Sequence, residues 1–286
     1  MSILAFIRDL IIASFGQMAS LFGAIVIFGL LIHFISRLTF KSLEKSFGAK
    51  GTYLVAWLGT PIHELGHAVF CIIFAHRITD IEFFKPDPNT GTLGYVSHRW
   101  NRSNPWQVLG NLFIGIGPII LGCAALFATF YFLIPNSYYV WDSITILAGQ
   151  VDQSNLIKSY FAILRESSYL LLKTVFNISN LNNWEFWLFL YVSVCIASNI
   201  RLSPPDIKGV LSGLGCVILP FLAINFLGLV SGFTSEKVLP LTASSLGIVF
   251  GLFILAFAMA VLGFVVTYLI SEIYVKFKRG YFLKPF

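Results

Sequence analysis

The sequence predicts an all-α polytopic membrane protein with about six transmembrane helices and a small β-hairpin between the second and third. Composition is the first reason: 57% of the 286 residues are hydrophobic and 11% are charged, and the mean hydropathy is +0.83. Such a chain is too apolar for a water-soluble domain. The second reason is that apolar runs of about 17–25 residues, the length that crosses the hydrocarbon core, recur along the chain. Helices are expected because they satisfy their own backbone groups in lipid.

The predicted spans place residues 20–286 in a single transmembrane domain with a core at about 50–232. An earlier apolar run is interrupted by Arg8 and Asp9, and it lacks the basic start and cleavage site of a signal peptide. It predicts an N-terminal interfacial helix at 1–19, with a seventh span as the alternative. The six spans lie at about 20–37, 53–75, 107–134, 184–200, 209–232 and 243–271.

Two insertions separate the spans. In the hairpin insertion, 76–104, two runs rich in β-branched and aromatic residues flank KPDPNTG, which is dense in turn formers. This pattern predicts a β-hairpin at the membrane interface. The polar insertion, 135–183, contains an amphipathic pattern at 155–175. That segment is expected to be a surface helix, with a lid over a site as the alternative.

The net charge of +6 comes from 19 basic and 13 acidic residues. The basic residues are spread among loops and the tail, which does not indicate a nucleic-acid partner; the lipid bilayer is the expected environment. Lys276, Lys278 and Arg279 follow the last span, so the positive-inside rule places the C-terminus in the cytoplasm. We expect an integral, multi-pass protein of the cytoplasmic membrane of a prokaryote.

The cysteines all fall within predicted spans and show no CxxC spacing. This is typical of small buried hydrophobic residues rather than of disulfides or a metal cluster. One of them lies a helical turn beyond His67 on the same face, so its proximity to a metal remains an alternative. The four are Cys71, Cys123, Cys195 and Cys216.

The second predicted span contains HELGH, residues 63–67, an instance of His-Glu-x-x-His. Residues four apart share a helix face, so His63 and His67 can each offer a ring nitrogen to one metal ion, and Glu64 can act as a base toward a metal-bound water. In a chain of this composition the motif is expected by chance about 0.002 times. The alternative is a set of polar side chains satisfied by neighbouring helices, although polar residues in a span need such partners.

Catalytic zinc sites usually have three protein ligands and an open water position. Asp206 is the best candidate for the third ligand, because the preceding Pro204 and Pro205 cannot continue a regular helix and are expected to leave an extended backbone that aims the carboxylate inward. A loop aspartate facing water is the alternative. His33 and His98 are weaker candidates, since isolated histidines of this kind more often form interhelical or interfacial hydrogen bonds.

HELGH within a span, followed later by SPPDIKG, resembles the site-2 protease family of intramembrane zinc metalloproteases. In that family the His-Glu-x-x-His span is paired with a later Asn-x-x-Pro-x-x-Pro-x-Asp-Gly segment whose aspartate is the third zinc ligand. The resemblance therefore implies that His63, His67 and Asp206 bind Zn²⁺ and that Glu64 is the catalytic base.

The resemblance covers about 50–210 and includes GNLFIGIGP, residues 110–118, which is similar to the Gly-Pro region of the family's next core helix. Pro204 matches the later segment. Asn199 lies one residue nearer the aspartate than the family pattern has it, and Arg201 stands where the first proline would be. Asp-Ile-Lys-Gly replaces the common Asp-Gly-Gly.

The function implied is that of a zinc metalloendopeptidase hydrolysing a peptide bond in or near the membrane-embedded segment of a protein or peptide substrate. The hairpin edge could pair with an extended substrate, with a purely structural hairpin as the alternative. The competing function is that of a zinc-binding membrane protein without proteolytic activity, an adaptor or pseudoenzyme. A metal-ion transporter would need further ligands along the bundle, which the predicted spans hardly offer.

Overall fold

The computed structural model describes residues 3–87, 89–149, 156–231 and 235–280. The structure is 81% helical with one two-stranded antiparallel sheet, which confirms the predicted helical class with its hairpin. The elements are α1 (Ile3–Phe47), α2 (Ala49–Ile73), β1 (Arg77–Glu82), β2 (Tyr95–Arg99), α3 (Pro105–Leu133), α4 (Ser137–Gly149), α5 (Leu156–Val175), a 3₁₀ helix (Ile178–Asn182), α6 (Trp184–Asn199), α7 (Pro204–Ser231) and α8 (Ser235–Arg279).

Four helical segments in the described ranges are long and apolar enough to cross a membrane: Ile25–Phe47, Pro105–Leu133, Pro204–Gly228 and Phe250–Lys278. The prediction of six spans is therefore not confirmed. The predicted span at 184–200 is α6, whose 16 residues extend about 24 Å, less than the hydrocarbon core of about 30 Å. The predicted span at 53–75 is α2, which is long enough to cross the hydrocarbon core but carries the polar HELGH motif.

The predicted boundary after residue 19 does not coincide with a break in the helix. Helix α1 is continuous over 45 residues, and its N-terminal part packs on α7. The Phe6 and Phe226 rings lie 5.7 Å apart, and Met18 is buried with Val217 of α7. The interfacial location of 1–19 remains a prediction.

The hairpin forms where the sequence predicts it. Strands β1 and β2 pair in antiparallel fashion with Ile78 opposite His98, and a bulge lies between Ile78 and Asp80. Across the strands, the Tyr95 hydroxyl donates a hydrogen bond of 2.6 Å to Asp80. The pairing fixes which side chains of β2 face the helices.

The polar insertion is helical where it is described. Helix α5 coincides with the amphipathic pattern predicted at 155–175 and packs against α8. Its Leu171 and Val175 are buried in the main hydrophobic core, together with residues of α1, α3, α6 and α8. This packing anchors one face of α5 in the helical core, and the choice between a surface helix and a lid stays a prediction.

Glycines allow the helices around the HELGH motif to approach closely. A Cβ on Gly66 of α2 would lie 2.7 Å from the backbone of Gly117 in α3. Similarly, a Cβ on Gly115 would lie 2.6 Å from the carbonyl oxygen of Asp206 in α7. Small residues at such crossings are typical of helix packing in membranes, where close backbone contact replaces the hydrophobic effect. These contacts bring α2, α3 and α7 together at one point.

Candidate metal centre

The structure brings the three predicted ligands together. His63 and His67 lie one turn apart on α2, with their Nε2 atoms 3.3 Å apart. From the first turn of α7, Asp206 places Oδ1 3.3 Å from His67 Nε2 and Oδ2 3.9 Å from His63 Nε2. The predicted convergence of a distant carboxylate on the histidine pair is therefore confirmed, and the group could hold a metal ion.

Hydrogen bonds to the other ring nitrogens determine the tautomer of both histidines. The Nδ1 atom of His63 lies 2.8 Å from the carbonyl oxygen of Asn199, and that of His67 lies 2.8 Å from the carbonyl oxygen of Ile114. A carbonyl only accepts, so both Nδ1 atoms donate, and in the neutral rings both Nε2 atoms carry lone pairs. Such outer partners are typical of metal-ligating histidines.

Two lone pairs and a carboxylate thus converge in a buried place, and a cation is what relieves their mutual repulsion. Zinc–ligand bonds of about 2.0–2.1 Å at tetrahedral angles separate neighbouring ligand atoms by about 3.3 Å. The Nε2–Nε2 and His67 Nε2–Asp206 Oδ1 separations are both 3.3 Å, and His63 Nε2 lies 3.9 Å from Asp206 Oδ2. The donor set and two of its three separations therefore fit a tetrahedral ion of the size of zinc.

Pro118 explains why the carbonyl of Ile114 is free to accept from His67. In a helix, the N–H of residue i donates to the carbonyl of residue i−4, and proline has no N–H. Pro118 lies inside α3, so the carbonyl four residues earlier, that of Ile114, lacks its helical partner. The His67 ring takes that position. The interior proline is the sequence signal for this contact.

Replacing Pro118 by alanine is expected to weaken metal binding about tenfold. The new N–H would compete for the Ile114 carbonyl, and loss of an outer partner costs about 10–100-fold in metal affinity. We expect the lower value because a carbonyl has two lone pairs. Competition with a chelator measures the change, and Pro220→Ala, an interior proline of α7, is the matched control. Equal metal affinity in the two variants would contradict this role for Pro118.

Asn199 holds the other acceptor in place. It is the last residue of α6, where carbonyls lack helical partners, and its carbonyl also accepts from the backbone N–H of Arg201. The Asn199 side chain donates to the carbonyls of Val55 and Cys195 and accepts from the Thr60 hydroxyl. The displaced asparagine of the sequence pattern therefore positions His63 through its backbone. A buried asparagine at the end of an apolar run was the available signal.

The backbone at Asp206 differs from our expectation. We predicted an extended or unwound backbone here, and residues 200–203 are indeed non-helical, but α7 begins at Pro204 and Asp206 lies in its first turn. The reason is a capping box: the Ser203 N–H donates to Asp206 Oδ2 (2.6 Å), and the Asp206 N–H donates to the Ser203 hydroxyl (3.3 Å). Prolines are tolerated in a first turn, which needs no intrahelical N–H donors. The spacing Ser-x-x-Asp was the overlooked signal.

Glu64 lies beside the three ligands and is 7% exposed. It lines a cavity of about 700 Å³ that also contacts His63, His67 and Asp206. The hairpin insertion forms one wall of this cavity: a Cβ on Gly94 would lie 3.0 Å from Glu64 Cγ. The centre is thus buried but open to this cavity.

A positively charged side chain to which the sequence analysis gave no role, that of Arg201, also lines this cavity. Arg201 lines the cavity together with Asp206 and Glu64, and its guanidinium lies 4.8 Å from the centre of the Phe40 ring. Its positive charge therefore borders the same cavity as the two carboxylates. Its position in the sequence, in place of a family proline, did not indicate this role.

The weaker sequence candidates do not belong to the His-His-Asp group. His33 lies on α1 and is not among the residues that line the cavity. His98 lines the cavity but groups with Cys71 and His76. Burial, and then the charge of the neighbouring His76 ring, lowers the pKa of His98 to about 4, so that its ring is neutral near pH 7.

The fold and the site define a helical protein that has, within the residues the structure describes, four helices able to cross a membrane and a buried His-His-Asp centre that could hold a metal ion. Comparison with protein-family models, curated proteins and solved structures found no match to this chain.

Proposed function

We propose that this protein is an intramembrane zinc metalloprotease that hydrolyses a peptide bond in or near the membrane-embedded segment of a protein substrate. The observation that carries the proposal is the convergence of two Nε2 lone pairs and the Asp206 carboxylate next to a buried glutamate at a cavity. Zinc suits this ligand set, since catalytic zinc sites combine three His, Asp or Glu ligands with an open position. The resemblance to the site-2 proteases points the same way.

A bound zinc ion would polarise the scissile carbonyl and lower the pKa of a bound water toward 7. The chain's own contribution to catalysis is proton transfer. Glu64 lies one step round the helix from His63, too far round to share its ligand position, and its carboxylate faces the cavity. It would accept a proton from the attacking water and return it to the leaving nitrogen.

Arg201 would stabilise the negative charge that develops on the scissile carbonyl oxygen. Its guanidinium borders the cavity that holds Glu64 and Asp206, and preorganised positive groups at such a position act strongly in a site of low dielectric. Stacking on Phe40 holds the side chain without using its hydrogen-bond donors.

Replacing Arg201 by glutamine is expected to lower kcat by about 10²–10³-fold, the usual cost of removing one oxyanion donor. Zinc should be retained, because removal of a nearby positive charge favours a bound cation. Steady-state kinetics and the metal content of the purified variant measure both effects. Arg165→Gln, an exposed arginine on α5, is the control. Loss of zinc with an unchanged kcat per bound zinc would instead assign Arg201 to the arrangement of Asp206.

The hairpin wall suggests how an extended substrate could be held. Residues 91–96 and His98 line the cavity, and strand β2 is part of this wall. A substrate segment unwound from its helix has free backbone groups that could pair with such an edge. Unwinding is required because a helix hides its carbonyls in intrahelical hydrogen bonds.

The direct test uses the full-length protein purified in detergent and a library of single-span substrates. Cleavage is expected with the zinc-loaded protein, to disappear after chelation and to return when zinc is added back. A zinc-loaded protein that leaves the whole library intact, and that binds some members without cutting them, would favour the alternative of a zinc-binding adaptor. Glu64 argues against that alternative, since a purely structural site needs no carboxylate beside the ligands.

A further inference from the structure

A second group of potential metal ligands lies where α2 ends and the hairpin begins. Cys71 is in the last turn of α2, His76 follows the helix, and His98 is on β2. Their ligand atoms all lie within 4.8 Å of one another. Cys71 is 0% and His76 5% exposed. None of these side chains belongs to the His-His-Asp centre.

The end of α2 folds His76 back over Cys71. The N–H of His76 donates to the carbonyl of Cys71 (2.8 Å), and the N–H of Ala75 donates to the carbonyl of Ile72 (3.1 Å). These bonds form a Schellman motif, whose C′ position needs a left-handed backbone. Ala75 adopts it with φ of 55°, although glycine is the residue that favours this conformation. This turn, although disfavoured for alanine, places the His76 ring near the Cys71 thiol.

Helix α3 determines which nitrogen of His76 is free. His76 Nε2 lies 2.7 Å from the carbonyl oxygen of Gln107, so it donates its proton there and Nδ1 carries a lone pair. The Gln107 side chain donates to the carbonyl of Ala75 (2.8 Å) and ties the same turn. Gly110 leaves room for the ring, since a Cβ there would lie 2.8 Å from His76 Nε2. A carbonyl partner on the far nitrogen is the arrangement of a metal-binding histidine.

We propose that Cys71, His76 and His98 form a second metal site, separate from the His-His-Asp centre and selective for a zinc-like ion. The lone pair of His76 Nδ1 points at His98 Nδ1, 3.0 Å away, and the Cys71 thiol lies within 4.8 Å of a ring nitrogen of each histidine. One thiolate and two imidazoles are a ligand set that zinc prefers, and a water would complete a tetrahedral site. The first centre, with nitrogen and oxygen donors alone, has no sulfur ligand.

The second ion would fasten the hairpin to the helices. It would join β2, through His98, to the end of α2 and the turn after it. His98 also lines the cavity at Glu64, so the ion would stabilise the wall that β2 forms there. This role does not depend on proteolysis, and it would hold equally for a non-proteolytic metal protein.

The competing explanation is a hydrogen bond between the neutral rings of His76 and His98. The centroid of the Trp100 ring lies 5.9 Å from that of His76 and 5.5 Å from that of His98. A pair of that kind needs no metal and no thiol. The two explanations differ in one spectroscopic property: only a site with Cys71 gives a thiolate-to-metal charge-transfer band when Co²⁺ is bound.

The experiment titrates Co²⁺ into the full-length apoprotein in detergent, for the wild type and for the His63→Ala/His67→Ala variant. We expect two equivalents in the wild type and one in the variant, with the charge-transfer band in both. Cys71→Ser should lose the band and one equivalent. Cys123→Ser, a buried cysteine in α3, should keep both and is the matched control.

A wild-type protein that binds Co²⁺ without a charge-transfer band would overturn the second site, and this result needs no variant to fold. A band that disappears with His63 and His67 would also overturn it, because the thiol would then belong to the first centre. Since no cleavage is measured, failure of the proposed protease activity leaves this result unaffected.

Discussion

Replacing Glu64 by glutamine is expected to lower peptide hydrolysis by about 10²–10⁴-fold, the usual contribution of a general acid–base group, and to leave the zinc content unchanged. Glutamine has nearly the same shape and cannot accept the proton of the attacking water. The ligand atoms belong to His63, His67 and Asp206, so the metal site itself is not altered. Cleavage rates and metal analysis on the same preparation measure both quantities.

Glu185→Gln provides the matched control for this variant, because Glu185 is a partly buried glutamate in the first turn of α6 and does not line the cavity. It should hydrolyse at the wild-type rate. Hydrolysis that persists in Glu64→Gln would remove Glu64 from the role of base. Loss of zinc in Glu64→Gln would show instead that this carboxylate helps to hold the ion.

Replacing Asp206 by alanine is expected to lower zinc affinity by more than 100-fold and to abolish hydrolysis with it. Changes to outer partners alone cost about 10–100-fold, and the loss of a direct ligand costs more. Asp206 also accepts the Ser203 N–H in the capping box, so Asp206→Asn serves as a second variant. The Asp206→Asn side chain keeps an acceptor for the Ser203 N–H. This variant should therefore weaken zinc binding without disturbing the start of α7.

Zinc affinity is best measured by chelator competition in a Cys71→Ser background, where any ion held at the second group would not contribute. Asp142→Ala, an exposed aspartate on α4, is the control and should bind zinc like its parent. Full zinc occupancy in Asp206→Ala would exclude this carboxylate from the metal site, and the proposed centre would then lack its third ligand.

Much of the fold follows from local patterns. The turn formers between two β-branched runs predicted the hairpin, and the amphipathic repeat predicted α5. The number of spans was less predictable: α6 has 16 residues, and polar residues lower the hydropathy of α2. Length and composition together decide whether a helix can cross a bilayer, and a window of apolar residues does not separate a span from a buried helix.

The site likewise has one part that the sequence predicts and another that it does not. His63, Glu64 and His67 were predictable because four-residue spacing on a helix determines which side chains share a face. The partners of the two rings were not. They are carbonyls of Ile114 and Asn199, and most side-chain types give no sign of a free carbonyl. Pro118 marks one only after the helix around it is known.

The sequence alone determined the metal-binding motif, its helix and the most plausible third ligand, since these depend on residue type and short-range spacing. Tertiary structure decided that Asp206 Oδ1 lies 3.3 Å from His67 Nε2 and that Arg201 borders the cavity beside these residues. It also decided that Cys71 lies near His76 and His98. Contacts between residues far apart in sequence depend on how helices cross, and here the crossings depend on close backbone contacts at glycines such as Gly66 and Gly115. Packing of that kind is a property of the assembled helices and is not encoded in any single segment.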